Sequence, residues 1–432
     1  MTQETKAGGG PARAGAGAPM GNRWVLVAAA LLLQFSIGAV YAWSVFSKAL
    51  KEASAFELSS VQAALPFEVA IGMIFIGAYL GGRIQDRRGP RTVALAGGVI
   101  YGLGVLLAGF AGSSDEFWLL VLGYGVISGF GLGVAYIVPI AMLQKWFPDK
   151  RGLITGLAVG GFGFGAVLTA PVANFLIDQD PDVPTRAFIP LGVAYLVMSL
   201  IGASVFRNPP EGYVVPGHEA KAEAGKEKDS NVRGDDYEPG EALRTPQWYF
   251  LTAILTLNVT AGIALISQAA ASATDISGYS TTAAASVVGI LAIFNGAGRI
   301  VWAAASDYIG RMPSFAAMLG LSGASLLLIP HAENTVLFFV LAAIVYTCYG
   351  GGFGTMPATA GDYFGLKHAG AIYGLMLVGW SLGGIIGPLI ASTLIGDVGG
   401  YTTAYTTIGI IALAAMVLTF ISKPPKRHEA GR

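Results

Sequence analysis

An all-α membrane protein of twelve spanning helices, arranged as two parallel six-helix repeats, is the fold this sequence predicts. Three observations predict it: the number and length of the apolar stretches, a one-sided distribution of lysine and arginine, and an internal repeat of glycines, amides and aspartates.

The 432 residues are 54% hydrophobic and 12% charged, about half the charge of a soluble domain. Twelve apolar stretches run over 24–47, 60–82, 92–112, 117–144, 152–177, 187–206, 247–272, 281–305, 314–331, 335–357, 369–395 and 401–422. Each is long enough to cross a hydrocarbon core of ~30 Å as a helix. None shows the period-two alternation of a membrane β-barrel. The first stretch is too long for a signal peptide and has no clear cleavage site. Residues 1–21 before it are rich in Gly and Ala and are expected to form a disordered cytosolic tail.

Placing the N-terminus inside puts 22 of the 26 lysines and arginines on the inner side. Lys48, Lys51 and Arg186 fall outside, and Arg299 lies within a helix. Because such an excess marks the cytosolic side, both termini are expected in the cytoplasm. The chain is expected to be a multi-pass protein of the cell (plasma) membrane. Its predicted divisions are a six-helix bundle over 22–207, a polar cytosolic linker over 208–244, a second bundle over 245–424 and a short tail over 425–432.

The repeat ties the two bundles together. Gln34, Gly38 and Ser44 precede Asn258, Gly262 and Gln268 by 224 positions. Their spacing of i, i+4 and i+10 places each set on one helical face. Asp86 and Gly89 precede Asp307 and Gly310 by 221, and Gly152, Gly156, Gly161 and Gly165 precede Gly370, Gly374, Gly379 and Gly383 by 218. Gly125, Gly129 and Gly133 are spaced by four, as small residues are where helix backbones approach closely. The run Gly161-Phe162-Gly163-Phe164-Gly165 lacks the strand and soluble context a phosphate-binding loop needs.

Other chemistries find no support. The single Cys348 excludes a disulfide framework. The four histidines are scattered over loops, so no metal site is expected. A formal net charge of zero gives no sign of nucleic-acid binding. No nucleophile–base pair appears among the spans, so no enzyme, cofactor or metal is expected. The expected partners are a small anion and the lipid bilayer, and the expected state is a monomer.

Arg299 is the side chain that points to the anion. It lies inside Ser286–Ser306, and no other Lys or Arg sits so deep in an apolar segment. A guanidinium stays charged, and holding it at bilayer depth costs several kcal/mol unless an anion or water meets it. Pairing with an internal carboxylate or with backbone carbonyls is the alternative. Asn295, Arg299 and Trp302 share a face at i, i+4 and i+7. Tyr41, Tyr136 and Tyr349 fall near the middle of their helices and could donate hydrogen bonds around an anion, or serve as packing. Phe162 and Trp380 match across the repeat and could face each other over a cavity. Glu68 stands alone in the second stretch and is a candidate for proton coupling, for pairing with a distant cation, or for a neutral hydrogen-bonding role. Asp86, Arg87, Asp307 and Arg311 follow the second and eighth stretches. They could cap helix starts, pair across the half interface, or simply set topology.

Parallel six-helix repeats joined by a central loop resemble the major facilitator superfamily. Its signature between helices 2 and 3 is present as Gly82-Arg83-Ile84-Gln85-Asp86-Arg87-Arg88-Gly89-Pro90-Arg91. Within that fold, three stretches resemble the oxalate/formate antiporters: Lys145-Trp146-Phe147-Pro148-Asp149-Lys150-Arg151-Gly152, Leu243-Arg244-Thr245-Pro246-Gln247-Trp248, and Phe294-Asn295-Gly296 with Arg299 through Ser306-Asp307-Tyr308-Ile309-Gly310-Arg311. The same group is similar to bacterial relatives of the monocarboxylate transporters, which also carry an arginine in helix 8. The resemblance implies a secondary transporter in which Arg299 binds a carboxylate. It implies that Tyr41, Tyr136, Tyr349 and Gln62 line the pocket, while Asn295, from its shared face with Arg299, and Phe162 and Trp380, from their match across the repeat, are expected beside them.

The departures set the substrate expectation. Oxalate transporters have a lysine where this chain has Trp380, a tryptophan where it has Leu377 and a tyrosine where it has Phe162. A dicarboxylate wants two cations, and one is present. A monocarboxylate such as lactate, pyruvate or formate is therefore expected, by proton coupling or anion exchange. An oxalate/formate-type dicarboxylate antiporter is the alternative within the fold. A membrane sensor or anion channel is the alternative outside it. Monocarboxylate transporters often place an aspartate where Asn295 stands, so proton coupling through that pair is not expected here.

Overall fold

The computed structural model describes residues 22–210, 213, 236–395 and 400–425. The predicted tails over 1–21 and 426–432, and most of the predicted linker, lie outside the described residues. Every described span is helical because a backbone in hydrocarbon must satisfy its own N–H and C=O groups.

Among the described residues, twelve helices are long and apolar enough to cross a membrane. They are α1 Trp24–Glu52, α2 Ser60–Arg88, α3 Pro90–Ala108, α4 Ser114–Trp146, α5 Arg151–Ile177, α6 Pro184–Ser204, α7 Pro246–Ser277, α8 Thr281–Ile309, α9 Arg311–His331, α10 Thr335–Phe364, α11 Ala369–Leu394 and α12 Gly400–Ile421. Among the described residues there is no strand. Several ends overrun the predicted stretches. α2 continues past 82 to Arg88, and α10 past 357 to Phe364. Hydropathy falls where the chain leaves the hydrocarbon, but long polar side chains extend into the headgroup layer while the backbone stays helical.

Local sequence sets the starts and stops. Ser59 caps α2, its hydroxyl accepting from the Gln62 N–H while the Gln62 side chain accepts from the Ser59 N–H. Such a capping box satisfies two otherwise orphaned donors. Thr245 caps α7 ahead of Pro246, and Asn334 caps α10. The repeat mates Gly89 and Gly310 both take positive φ, 82° and 95°, at the turns after α2 and α8. That region is open chiefly to glycine.

Helices α1–α6 pack on one another, as do α7–α12. The two bundles meet along the ends of α2, α5, α8 and α11 that lie beside the basic loops. Gly82 abuts the backbone of Gly370, and Gly152 abuts that of Ala303, so these helices touch main chain to main chain. Higher up, the Ser381 hydroxyl donates to the Ile71 carbonyl at 3.2 Å. Beyond that level Val172 and Phe175 on α5, and Ile385 and Leu389 on α11, are exposed. The bundles are thus joined main chain to main chain at the basic end.

Both bundles use the same internal joint. Gln34 on α1 donates to the carbonyl of Tyr136 on α4, 3.2 Å away. Its repeat mate Asn258 on α7 donates to the Cys348 carbonyl at 3.3 Å and to that of Tyr349 on α10 at 3.5 Å. The amides anticipated on matching faces therefore fix, in each half, the helix that carries a central tyrosine.

Candidate functional site: a buried guanidinium in an aromatic box

Breaks in regular helix shape the middle of the molecule. α1 tightens into a 3-10 turn over Ala39–Ala42, which contains Tyr41. α4 contains a π-helical stretch, Val121–Ser128, just before the α-helical part that bears Tyr136. α11 is interrupted at Leu377, and Trp380 sits in the turn that follows. Such irregular turns occur often at functional positions in helices.

Arg299 on α8 lies at this level and is fully buried. Its Nη2 donates to the Tyr41 hydroxyl at 3.3 Å, its Nη1 to the Val159 carbonyl at 3.4 Å and its Nε to Asn295 Oδ1 at 3.4 Å. All three are long beside the ~2.7–2.9 Å of a charge-assisted bond to a carboxylate. Among the described residues no carboxylate forms an ion pair with Arg299. The guanidinium carbon instead stands 5.0 Å from the ring centre of Phe353, 5.7 Å from that of Phe162 and 5.8 Å from that of Tyr41. Ring faces hold a cation weakly and leave its N–H edges short of acceptors.

The rings form one connected set. Phe162 and Trp380 meet at 6.0 Å between centroids. Tyr41 and Tyr136 each contact both of them, at 5.1–6.3 Å. Phe353 bridges Trp380 at 5.0 Å and Tyr349 at 5.3 Å. Arg299, Tyr41, Tyr136, Tyr349, Phe162, Trp380 and Asn295 are thereby assembled in one place, drawn from both bundles. Two members were not anticipated. Phe353 lies one turn after Tyr349, and Tyr373 lies seven residues before Trp380; this helical spacing was the available signal. The Tyr373 hydroxyl lies near that of Tyr136, and neither completes a hydrogen bond of good geometry.

Two anticipated residues lie elsewhere. Gln62 is exposed at the first turn of α2, where its side chain is engaged in the Ser59 capping box. Glu68 is exposed on the same helix rather than set in an apolar interior. No observed contact links either residue to Arg299.

A second polar cluster bolts the basic end. Asp307, at the end of α8, accepts from the N–H groups of Gly152 and Leu153 at 2.9 and 3.0 Å, capping α5 of the other bundle. It also pairs with Arg311 at 2.7 Å. Arg311 contacts Asp362 at 2.8 Å, and Asp362 contacts Arg151 of the first bundle at 2.9 Å. Asp86 occupies the matching place by the backbone of Ala371 at the start of α11, and its carboxylate oxygens complete no hydrogen bond. Arg87 is exposed and meets no acid among the described residues. Arg151 and Asp362 were missed because an ion pair 211 residues apart leaves no local pattern.

The arrangement matches a known family. The model of the Major Facilitator Superfamily matches residues 23–375 and 252–432. The chain belongs to that superfamily. It is 29% identical over 419 residues to the oxalate:formate antiporter of Oxalobacter formigenes, covering 94% of each chain. It is 27% identical over 371 residues to monocarboxylate transporter 13 of Rattus norvegicus, covering 84% of this chain and 80% of that one. Its fold is that of the Escherichia coli fucose:proton symporter FucP, with a TM-score of 0.68 at 14% identity over 92% of this chain and 98% of that one. The chain is a multi-pass membrane protein of a transporter family.

Proposed function

We propose that this protein is a secondary transporter of a small monocarboxylate, working by alternating access with Arg299 as the anion anchor. The observation that carries the reading is a fully buried guanidinium, without a carboxylate partner among the described residues, at the junction of two bundles. A carboxylate entering the box replaces the long contacts to Tyr41 and Val159 with short charge-assisted bonds. Those two contacts tie Arg299 to the opposite bundle. An anion that takes them over supplies the bonds Arg299 needs while the bundles part at one end and close at the other. Tyr41, Tyr136 and Tyr349 stand as hydroxyl donors, and Phe162, Trp380 and Phe353 enclose a short apolar tail. The basic end is the cytosolic end on the positive-inside rule.

One cation favours one carboxylate. The rival reading, exchange of a dicarboxylate, draws on the likeness to the oxalate:formate antiporter over nearly the whole chain. Counterflow in proteoliposomes separates them. Labelled formate, lactate or pyruvate is expected to enter saturably and to be trans-stimulated, while labelled oxalate is excluded. Uptake of oxalate with rejection of all three monoacids reverses the assignment. Conduction without saturation or trans-stimulation would make the protein a channel.

A further inference from the structure

A cavity of about 340 Å³ lies between the basic-end tips of α1, α3 and α6. It belongs to the first bundle and lies apart from the Arg299 box. Val25, Leu26, Val205 and Phe206 form its apolar wall, and Arg91 and Arg207 contribute the positive charge. Val25 is 55% exposed and Val205 43%, at the basic-end tips of two membrane-spanning helices. Trp24, also exposed beside this wall, is the residue type that marks the depth of the headgroups.

The two cations reach the cavity from different elements. Arg91 stands in the first turn of α3, just after Pro90. Arg207 follows the end of α6, and its carbonyl accepts from the Trp146 indole N–H at 2.7 Å. That bond fixes the backbone from which the guanidinium extends. Among the described residues neither arginine pairs with a carboxylate. Two guanidinium groups above an apolar wall, without an acid partner among the described residues, suit a phosphate diester that carries acyl chains. A free phosphate would have no use for the wall. The neighbouring cavity at Arg83, Ile84, Arg87 and Arg88 draws its whole lining from α2, and it serves as a comparison.

We propose that the cavity between α1, α3 and α6 binds an anionic glycerophospholipid of the leaflet at the basic end. Arg91 and Arg207 grip its phosphate, and Val25, Leu26, Val205 and Phe206 hold the upper part of an acyl chain.

Native mass spectrometry of the full-length protein in detergent tests this with phosphatidylglycerol and phosphatidylcholine of identical chains. At roughly fivefold per arginine near a headgroup, wild type is expected to retain phosphatidylglycerol at least tenfold more strongly. The double variant Arg91→Gln, Arg207→Gln is expected to lose most of that preference. Its melting point in phosphatidylcholine alone should match wild type, which shows that it folds. The comparison variant Arg83→Gln, Arg87→Gln is expected to keep the preference. Equal retention of the two lipids by wild type would overturn the proposal. So would a double variant that keeps the preference, or equal losses in both variants, which would mean a diffuse basic surface. Displacement of the lipid by millimolar inorganic phosphate would mean a free-anion site instead.

Discussion

Replacing Arg299 with Gln separates two quantities that most core substitutions move together. The guanidinium is fully buried, with polar contacts of 3.3–3.4 Å and three ring faces at 5.0–5.8 Å. Contacts that long return little of the several kcal/mol that desolvating an ion costs. Glutamine keeps an amide able to reach Asn295 or Tyr41 and removes the buried charge. The melting temperature of the ligand-free variant is therefore expected to hold or rise. Ligand binding should move the other way. Losing one member of a buried, hydrogen-bonded charge pair costs about 2–5 kcal/mol, or roughly 30- to 4,000-fold in affinity. Nano-differential scanning fluorimetry gives the first quantity, and the carboxylate-induced shift with proteoliposome uptake gives the second. A variant that melts several degrees lower yet transports at the wild-type rate would show that Arg299 is a structural cation and would refute the reasoning.

Three further outcomes are expected. Asp307→Asn weakens both the cap on α5 and the pair with Arg311. Hydrogen bonds to a charged group are worth about 1.5–3 kcal/mol and less where the group is exposed, as Asp307 is, so the change should shift spin-label distances across the basic end toward the open state; an unchanged distance distribution counts against a latch. Trp380→Lys adds a second cation beside the box and is expected to let labelled oxalate in while cutting monocarboxylate uptake at least tenfold, with continued exclusion of oxalate as the contrary result. Glu68→Gln, at an exposed site, is expected to leave the pH profile of uptake unchanged, and a profile shifted by a full unit would reinstate it as a proton carrier.

Much of the architecture was legible because lipid imposes one rule on every span. A chain in hydrocarbon must bond its own backbone, so length and apolarity alone mark the helices. Arg299 stood out for the same reason, since a charge is conspicuous where charges are expensive. The legibility ends where position depends on another helix. Resemblance places Gln62 in the pocket and Glu68 stands out as a charge in an apolar stretch, yet the packing of α2 leaves both exposed. The 3-10 turn at Tyr41 and the interruption at Leu377 have no proline or glycine at the break itself to announce them. Phe353 reads as one more apolar residue until the fold sets it 5.0 Å from a guanidinium.

The repeat that doubles so much of this chain does not double its charge. The 221-residue offset that relates Asp86 to Asp307 sets Ala78 in the place of Arg299, and Ala78 is a buried methyl. On the proposed reading, a cargo gripped by Arg299 would travel with the second bundle, and the first bundle would move relative to it. Duplication supplied two equal arms, and a single residue decided which of them is the hand.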